Sequence, residues 1–369
     1  MASVQEGRSR MSSLHKEKRL LDITGAGDPG SLRTIREEEQ NRLGAILSSS
    51  PVIELVEDLN ELHDSLILRA LKLAEIEMAR LGHGAPPVPY AYLLFGSGGR
   101  REQTFSSDQD SGLIYRDPQN EADALTYESY FQTLAQITVG YLIDIGYPPC
   151  EGNVIASNPD WCMPISAWER KLDSWFEEPN WENVRYLLIV ADGRLVGGDE
   201  DLGARWNARF FRDFLGSPVI ARRMMENTLR HKVLVGVFGQ LLTERYGELA
   251  GTLDIKYGAY IPMVNVFRLM AVHAGIKETS TIGRIRELEK AEILSPEEAK
   301  ESAEAFELFL LLRLMAVTKD ENGQWAGTGV IHASKLKGEW KVPLKKALKL
   351  GRKLQRQVER EMRYRFGGR

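Results

Sequence analysis

The stretch Leu93-Leu94-Phe95-Gly96-Ser97-Gly98-Gly99-Arg100-Arg101-Glu102-Gln103-Thr104-Phe105-Ser106-Ser107-Asp108-Gln109-Asp110-Ser111-Gly112-Leu113-Ile114-Tyr115 decides the reading of this chain. An apolar strand over 90–95 ends in a Gly-Ser-Gly-Gly turn, and a second strand begins at Asp110. Side chains alternate across a strand, so Asp108 and Asp110 share one side and can reach one divalent cation. The turn offers backbone N–H groups and the Ser97 hydroxyl without side-chain bulk, which suits a triphosphate. A cation beside a phosphate cradle is the equipment of phosphoryl or nucleotidyl transfer.

Two carboxylates so close repel each other until a cation, Mg²⁺ or Mn²⁺, removes the cost. A two-metal scheme asks for a third carboxylate on a nearby strand. Asp192 is the expected donor, because it ends the apolar run Leu187 to Ala191, read as a strand over 186–192. Arg100 and Arg101 follow the glycines and are placed to clamp phosphates bidentately, although one of them can instead pair with Glu102.

Around this centre the chain divides by texture. Residues 1–30 are polar and broken by Gly25, Gly27, Pro29 and Gly30, so a loose tail is expected. Residues 31–85 form an N-terminal helical region, with one helix near Ser31 and a stronger one after Pro51 that Gly82, Gly84, Pro86 and Pro87 stop. Residues 86–202 alternate strands and helices, with helices expected over 121–145 and 168–176 and a strand over 154–156. Residues 203–369 read as an all-helical bundle, with periodic stretches over 203–248, 257–275, 280–291, 296–318 and 342–366 and a glycine-rich loop over 319–340. The expected class is α+β: N-terminal helices, a small α/β domain and a C-terminal helical bundle.

At 369 residues the chain can bury several cores, and its 43% hydrophobic and 27% charged content is ordinary for a globular protein. A net charge of −4 gives no general pull toward nucleic acid or membrane, although residues 335–369 are locally basic. Cys150 and Cys162 are too few for a disulfide framework and read as free thiols in a reducing compartment. No apolar run approaches a bilayer span and the first residues lack a signal-peptide core, so a cytoplasmic location is expected.

The string Gly96-Ser97, about ten residues, then Asp108-Gln109-Asp110 resembles the polymerase-β nucleotidyltransferase superfamily. Its fuller form through Arg100-Arg101-Glu102-Gln103-Thr104 is similar to a bacterial putative nucleotidyltransferase family related to the uridylyltransferase of signal protein PII and the adenylyltransferase of glutamine synthetase. The segments 147–161 and 192–199 resemble further signatures of that family, the second supporting Asp192 as a metal ligand. Segments 253–258, 262–268 and 279–285 are similar to the helical substrate-binding domain that accompanies it. The resemblance implies transfer of a nucleoside monophosphate from an NTP to a hydroxyl, with a regulatory protein as acceptor and a role in signal transduction. It implies Asp108, Asp110 and Asp192 as catalytic metal ligands, Gly96, Ser97, Gly98, Arg100 and Arg101 at the triphosphate, and Lys256, Arg268 and Arg284 closing over the nucleotide from the helical side. A catalytically silent nucleotide-sensing module is the alternative. No specific nucleic-acid partner is expected, and oligomerisation is left open.

Overall fold

A computed structural model describes residues 2–366, apart from 215–217, 230–232, 237–239, 245, 320, 322, 324 and 337. The polar stretch expected as a tail is a helix, α1 (Ala2–Gly25). It lacks a broad apolar stripe because ion pairs dock it. Arg19 is buried and donates to Asp58 at 2.7 Å, and Asp58 also accepts from Arg42 at 2.9 Å. The next helix, α2 (Pro29–Ile46), opens where the Asp28 side chain accepts from the Ser31 N–H and Pro29 takes the first helical position. The third, α3 (Val52–Arg80), buries Leu55, Leu59, Leu62, Leu66 and Ala70 at helical spacing.

Polar residues within these helices hold the loop that joins turn to carboxylates. Asn60 accepts from the Gln103 N–H at 3.0 Å and donates to the Gln103 carbonyl. Gln40 donates to the Phe105 carbonyl at 2.7 Å. His63 is fully buried between the Tyr147 hydroxyl at 2.7 Å and the Thr104 carbonyl at 3.1 Å. The irregular backbone of 103–105 is thus satisfied by side chains where no sheet partner exists.

Four strands make the central sheet: β1 (Tyr90–Leu94), β2 (Ser111–Tyr115), β3 (Cys162–Pro164) and β4 (Arg194–Gly198), in the order β3-β2-β1-β4. The β1/β2 and β1/β4 pairs are antiparallel and β2/β3 is parallel. Leu94 pairs with Ser111, so the single helical turn α4 (Gly96–Gly99) leaves the end of β1 directly beside Asp110. Next, α5 (Glu121–Ile145) covers the expected span and ends at Gly146 in the left-handed conformation.

Two strand expectations fail here. Residues 154–156 form no strand; the partner of β2 is β3, a few residues later. After α6 (Ile165–Glu177), the apolar run before Asp192 is a helix, α7 (Trp181–Val190), started by an Asn180 cap. A short buried apolar run carries no period that separates strand from helix, and here the cap and the flanking aromatic packing decided. Tyr186 stacks on Trp175 at 5.1 Å, which places this helix on α6.

The C-terminal part is chiefly helical: α8 (Glu200–Phe214), α9 (Pro218–Thr228), α10 (Ile261–His273), α11 (Thr281–Lys290), α12 (Pro296–Met315) and α13 (Gly338–Phe366). It is not all-helical. The long helix expected over 203–248 is replaced, in its described residues, by α8, α9 and non-helical chain after Thr228. Strand β5 (Thr252–Asp254) pairs with β8 (Val330–His332), and β6 (Val317–Lys319) with β7 (Trp325–Gly327). The glycine-rich segment expected as a loop therefore carries strands. Trp325 stacks on Phe105 at 4.8 Å, fastening this hairpin to the loop before the carboxylates.

Burial, with Arg36 nearby, lowers the His63 pKa from 6.5 to about 3. A lowered folded-state pKa means that its contribution is complete above pH 6.5 and is lost as pH falls toward 3. Acid titration of unfolding free energy should therefore show a His63-dependent loss on the order of 4 kcal/mol across that window. His63→Gln, which keeps hydrogen-bonding capacity without the titration, should flatten the slope; an unchanged slope refutes the assignment.

Candidate active site around Asp108 and Asp110

The sheet register brings the turn and the carboxylate pair together. Phe95 donates its N–H to the Asp110 carbonyl at 2.9 Å, closing the β1/β2 ladder at the mouth of the turn. Gly96 stands at φ +53, and a Cβ there would run into the Asp110 carboxylate. Only glycine meets both demands. On the other side of the turn, a Cβ on Gly99 would strike the carbonyl oxygen of Asp192. The turn is sandwiched between the two acidic residues, with Asp110 facing it by its side chain and Asp192 by its backbone.

Asp108 is exposed and Asp110 is half-buried. Burial, reinforced by the neighbouring Asp108 charge, pushes the Asp110 carboxyl up to about 6. A carboxylate pair under this strain fits a hard divalent cation, whose charge would relieve both causes. Cys150 completes the cluster: the ligand atoms of Asp108, Asp110 and Cys150 all lie within 4.8 Å of one another. Sequence reasoning took Cys150 only as a free thiol. Its position depends on a parallel bridge between Gln109 and Pro149, a tertiary pairing without a local signature.

Asp192 does not join this group. It is 1% exposed, and its carboxylate is filled by guanidinium groups. Arg100 donates to it at 2.5 Å, Arg284 at 2.8 Å, and Arg268 through both Nε, at 2.8 Å, and Nη2. Burial by itself would raise its pKa, but the charges of Arg268, Arg100 and Arg284 outweigh that and hold the carboxyl well below the usual range. An anion so saturated has no lone pairs to spare for a metal. Asp192, expected as a third metal carboxylate, thus lies against arginines in this structure and not beside Asp108 and Asp110.

The same network engages three residues expected at the nucleotide, Arg100, Arg268 and Arg284. Arg100 is buried, with Nε on Glu102 at 2.8 Å and Nη2 accepted by the Tyr260 hydroxyl at 3.0 Å. Arg268 also donates to Asn265 at 2.7 Å, and Arg284 to the Ala191 and Glu278 carbonyls at 2.8 Å each. Arg101 differs: its side chain is 63% exposed, 3.8 Å from Asp64, and its backbone is left-handed at φ +54. It borders a cavity of about 470 Å³ with Asn60, Glu61, Glu278 and Arg286, a space that neither Asp108 nor Asp110 lines. Lys256 is close enough for its charge to favour ionised Asp110. The carboxylate pair borders a small cavity of about 10 Å³, and Asp108 is open to solvent.

Asp192→Asn should leave three buried guanidinium groups short of an anion and lower unfolding free energy by about 3–5 kcal/mol in denaturant titration. Cation binding to the folded fraction should persist. Wild-type stability together with lost cation binding would restore Asp192 to the metal site.

The chain was compared with known proteins and families. Residues 43–182 match the family model described as putative nucleotidyltransferase DUF294, and residues 218–362 match that of the putative nucleotidyltransferase substrate binding domain. No curated protein matches the chain. The first match encloses the turn and the carboxylate pair, the second contains Lys256, Arg268 and Arg284, and with both in the expected order this chain belongs to the putative nucleotidyltransferase family DUF294.

Proposed function

We propose that this protein moves a nucleoside monophosphate from an NTP to a hydroxyl acceptor, releasing pyrophosphate. The observation that carries the reading is the strained carboxylate pair beside a side-chain-free turn, within a family of nucleotidyltransferases. Asp108 and Asp110 would hold Mg²⁺ or Mn²⁺, which supplies charge for the triphosphate and acidifies the attacking hydroxyl. The Gly96–Gly98 backbone and the Ser97 hydroxyl would contact the triphosphate, with Lys256 countering its charge. Arg100, Arg268 and Arg284 act behind the turn as positioning residues that keep it rigid.

A protein acceptor, of the kind modified by PII uridylyltransferase or glutamine synthetase adenylyltransferase, is supported by the resemblance in the turn and carboxylate motif alone. One observation favours a second reading, a nucleotide sensor with little turnover: Asp192, the expected third carboxylate, is committed to arginines. No helix among the described residues is long and apolar enough to cross a membrane.

Incubation with each labelled NTP, divalent cation and cell lysate should yield pyrophosphate and a labelled acceptor. Asp108→Asn and Asp110→Asn should each reduce transfer by at least about a hundredfold. Nucleotide binding without pyrophosphate release from any NTP selects the sensor; absence of binding to all four refutes both readings. The raised Asp110 pKa adds a pH signature. In the metal-free protein the protonated form contributes stability that is complete below pH 3.8 and is lost as pH rises through about 6. A cation must displace that proton, so its affinity should fall more steeply with falling pH below about 6 than above it, measurable by calorimetry.

A further inference from the structure

The place beside the carboxylate pair where a third acidic donor was expected is taken by sulfur. Just before β2 the chain continues the sheet by one bridge: Gln109 pairs in parallel with Pro149, and the Gln109 N–H donates to the Pro148 carbonyl at 2.9 Å. That pairing sets Cys150 level with Asp110. The Gln109 side chain locks the same segment, donating to the Tyr147 carbonyl at 2.8 Å. Among the described residues, Asp108, Asp110 and Cys150 are the group whose donor atoms converge within 4.8 Å, and Asp192 is withheld from it by its arginines. Two donors on opposite sides of one small ion stand about 4–4.6 Å apart, so this spacing is of the order that a shared cation requires.

Resting on the cation site proposed above, we infer that Cys150 is the third protein donor to that cation, and that the site prefers borderline and thiophilic ions such as Co²⁺, Zn²⁺ or Cd²⁺ over Mg²⁺. As the sulfur–metal bond forms the S–H bond breaks, its electron pair stays on sulfur and its proton leaves to solvent. Two carboxylates and one thiolate then carry three negative charges against the ion's two, with no change in oxidation state. Mg²⁺ holds oxygen ligands and dehydrates reluctantly, whereas thiolate sulfur binds the later, softer ions strongly. The chemistry of the donor set, rather than its number, selects the ion.

Calorimetric titration of the full chain with Mg²⁺, Mn²⁺ and Cd²⁺, and absorption spectra with Co²⁺, test this in wild type, Cys150→Ser, Cys150→Asp and Asp110→Asn. Wild type should show a sulfur-to-cobalt charge-transfer band that Cys150→Ser loses. Cys150→Ser should weaken Cd²⁺ at least about tenfold and Mg²⁺ less than about threefold, and Cys150→Asp should shift preference toward Mg²⁺. A Co²⁺ complex without the band, or equal Cd²⁺ affinity in wild type and Cys150→Ser, overturns the thiolate donor while cation binding that needs Asp110 leaves the proposed site intact. If Asp110→Asn binds every ion as wild type does, the cation site itself is wrong, and the Cys150 assignment falls with it.

Discussion

The carboxylate of Asp192 lies among three guanidinium groups that arrive from separate parts of the chain. Arg100 follows the glycine turn, Arg268 comes from α10 and Arg284 from α11. Ionised groups leave water at high cost, and their attraction offsets that cost only when the remaining donors find partners. Here they do. Glu102 and the Tyr260 hydroxyl take the rest of Arg100, Asn265 takes part of Arg268, and backbone carbonyls take the rest of Arg284. Glu102 also accepts the Thr281 N–H at 2.8 Å, so the start of α11 is fixed to the same cluster. This buried polar network joins the turn after β1 to the helical part.

The turn inherits its rigidity from that network. Asp192 presses its carbonyl against Gly99 from behind, and Thr279 donates to the Gly99 carbonyl at 2.8 Å. In front, Gly96 meets Asp110. A cradle held from behind loses little freedom when a ligand arrives, which is the condition under which backbone N–H groups stabilise developing charge. The acidic residues divide the work by their surroundings. Asp192, 1% exposed and among arginines, stays ionised. Asp110, half-buried beside another carboxylate, has its carboxyl pushed up to about 6.

A second constraint acts on the loop between turn and carboxylates. Its backbone is satisfied by Asn60, His63 and Gln40 from the N-terminal helices, and Trp325 covers Phe105 from the C-terminal hairpin. The N-terminal helices therefore take part in aiming Asp108 and Asp110. Asn60 and His63 sit on the mostly apolar buried face of α3, a departure from amphipathic pattern that marks where a helix serves a loop as well as a core.

Local chemistry alone settled much of this protein. The run from Leu93 to Tyr115 specified two strands, a glycine turn and a carboxylate pair on one side, because strand alternation and the freedom of glycine act over a few residues. The helix over 121–145 and most of the stretch expected over 296–318 were legible for the same reason, in periodic apolar spacing. Tertiary structure decided the rest. The apolar run before Asp192 became a helix, since burial on all sides erases the period that would tell it from a strand. Asp192, expected at the metal, and Arg100, Arg268 and Arg284, expected at the nucleotide, are brought against one another by folding, a juxtaposition that no local spacing encodes. Cys150 gained its place beside Asp110 from a strand bridge between distant residues, and no spacing along the chain encodes the distance between side chains that only a sheet brings together.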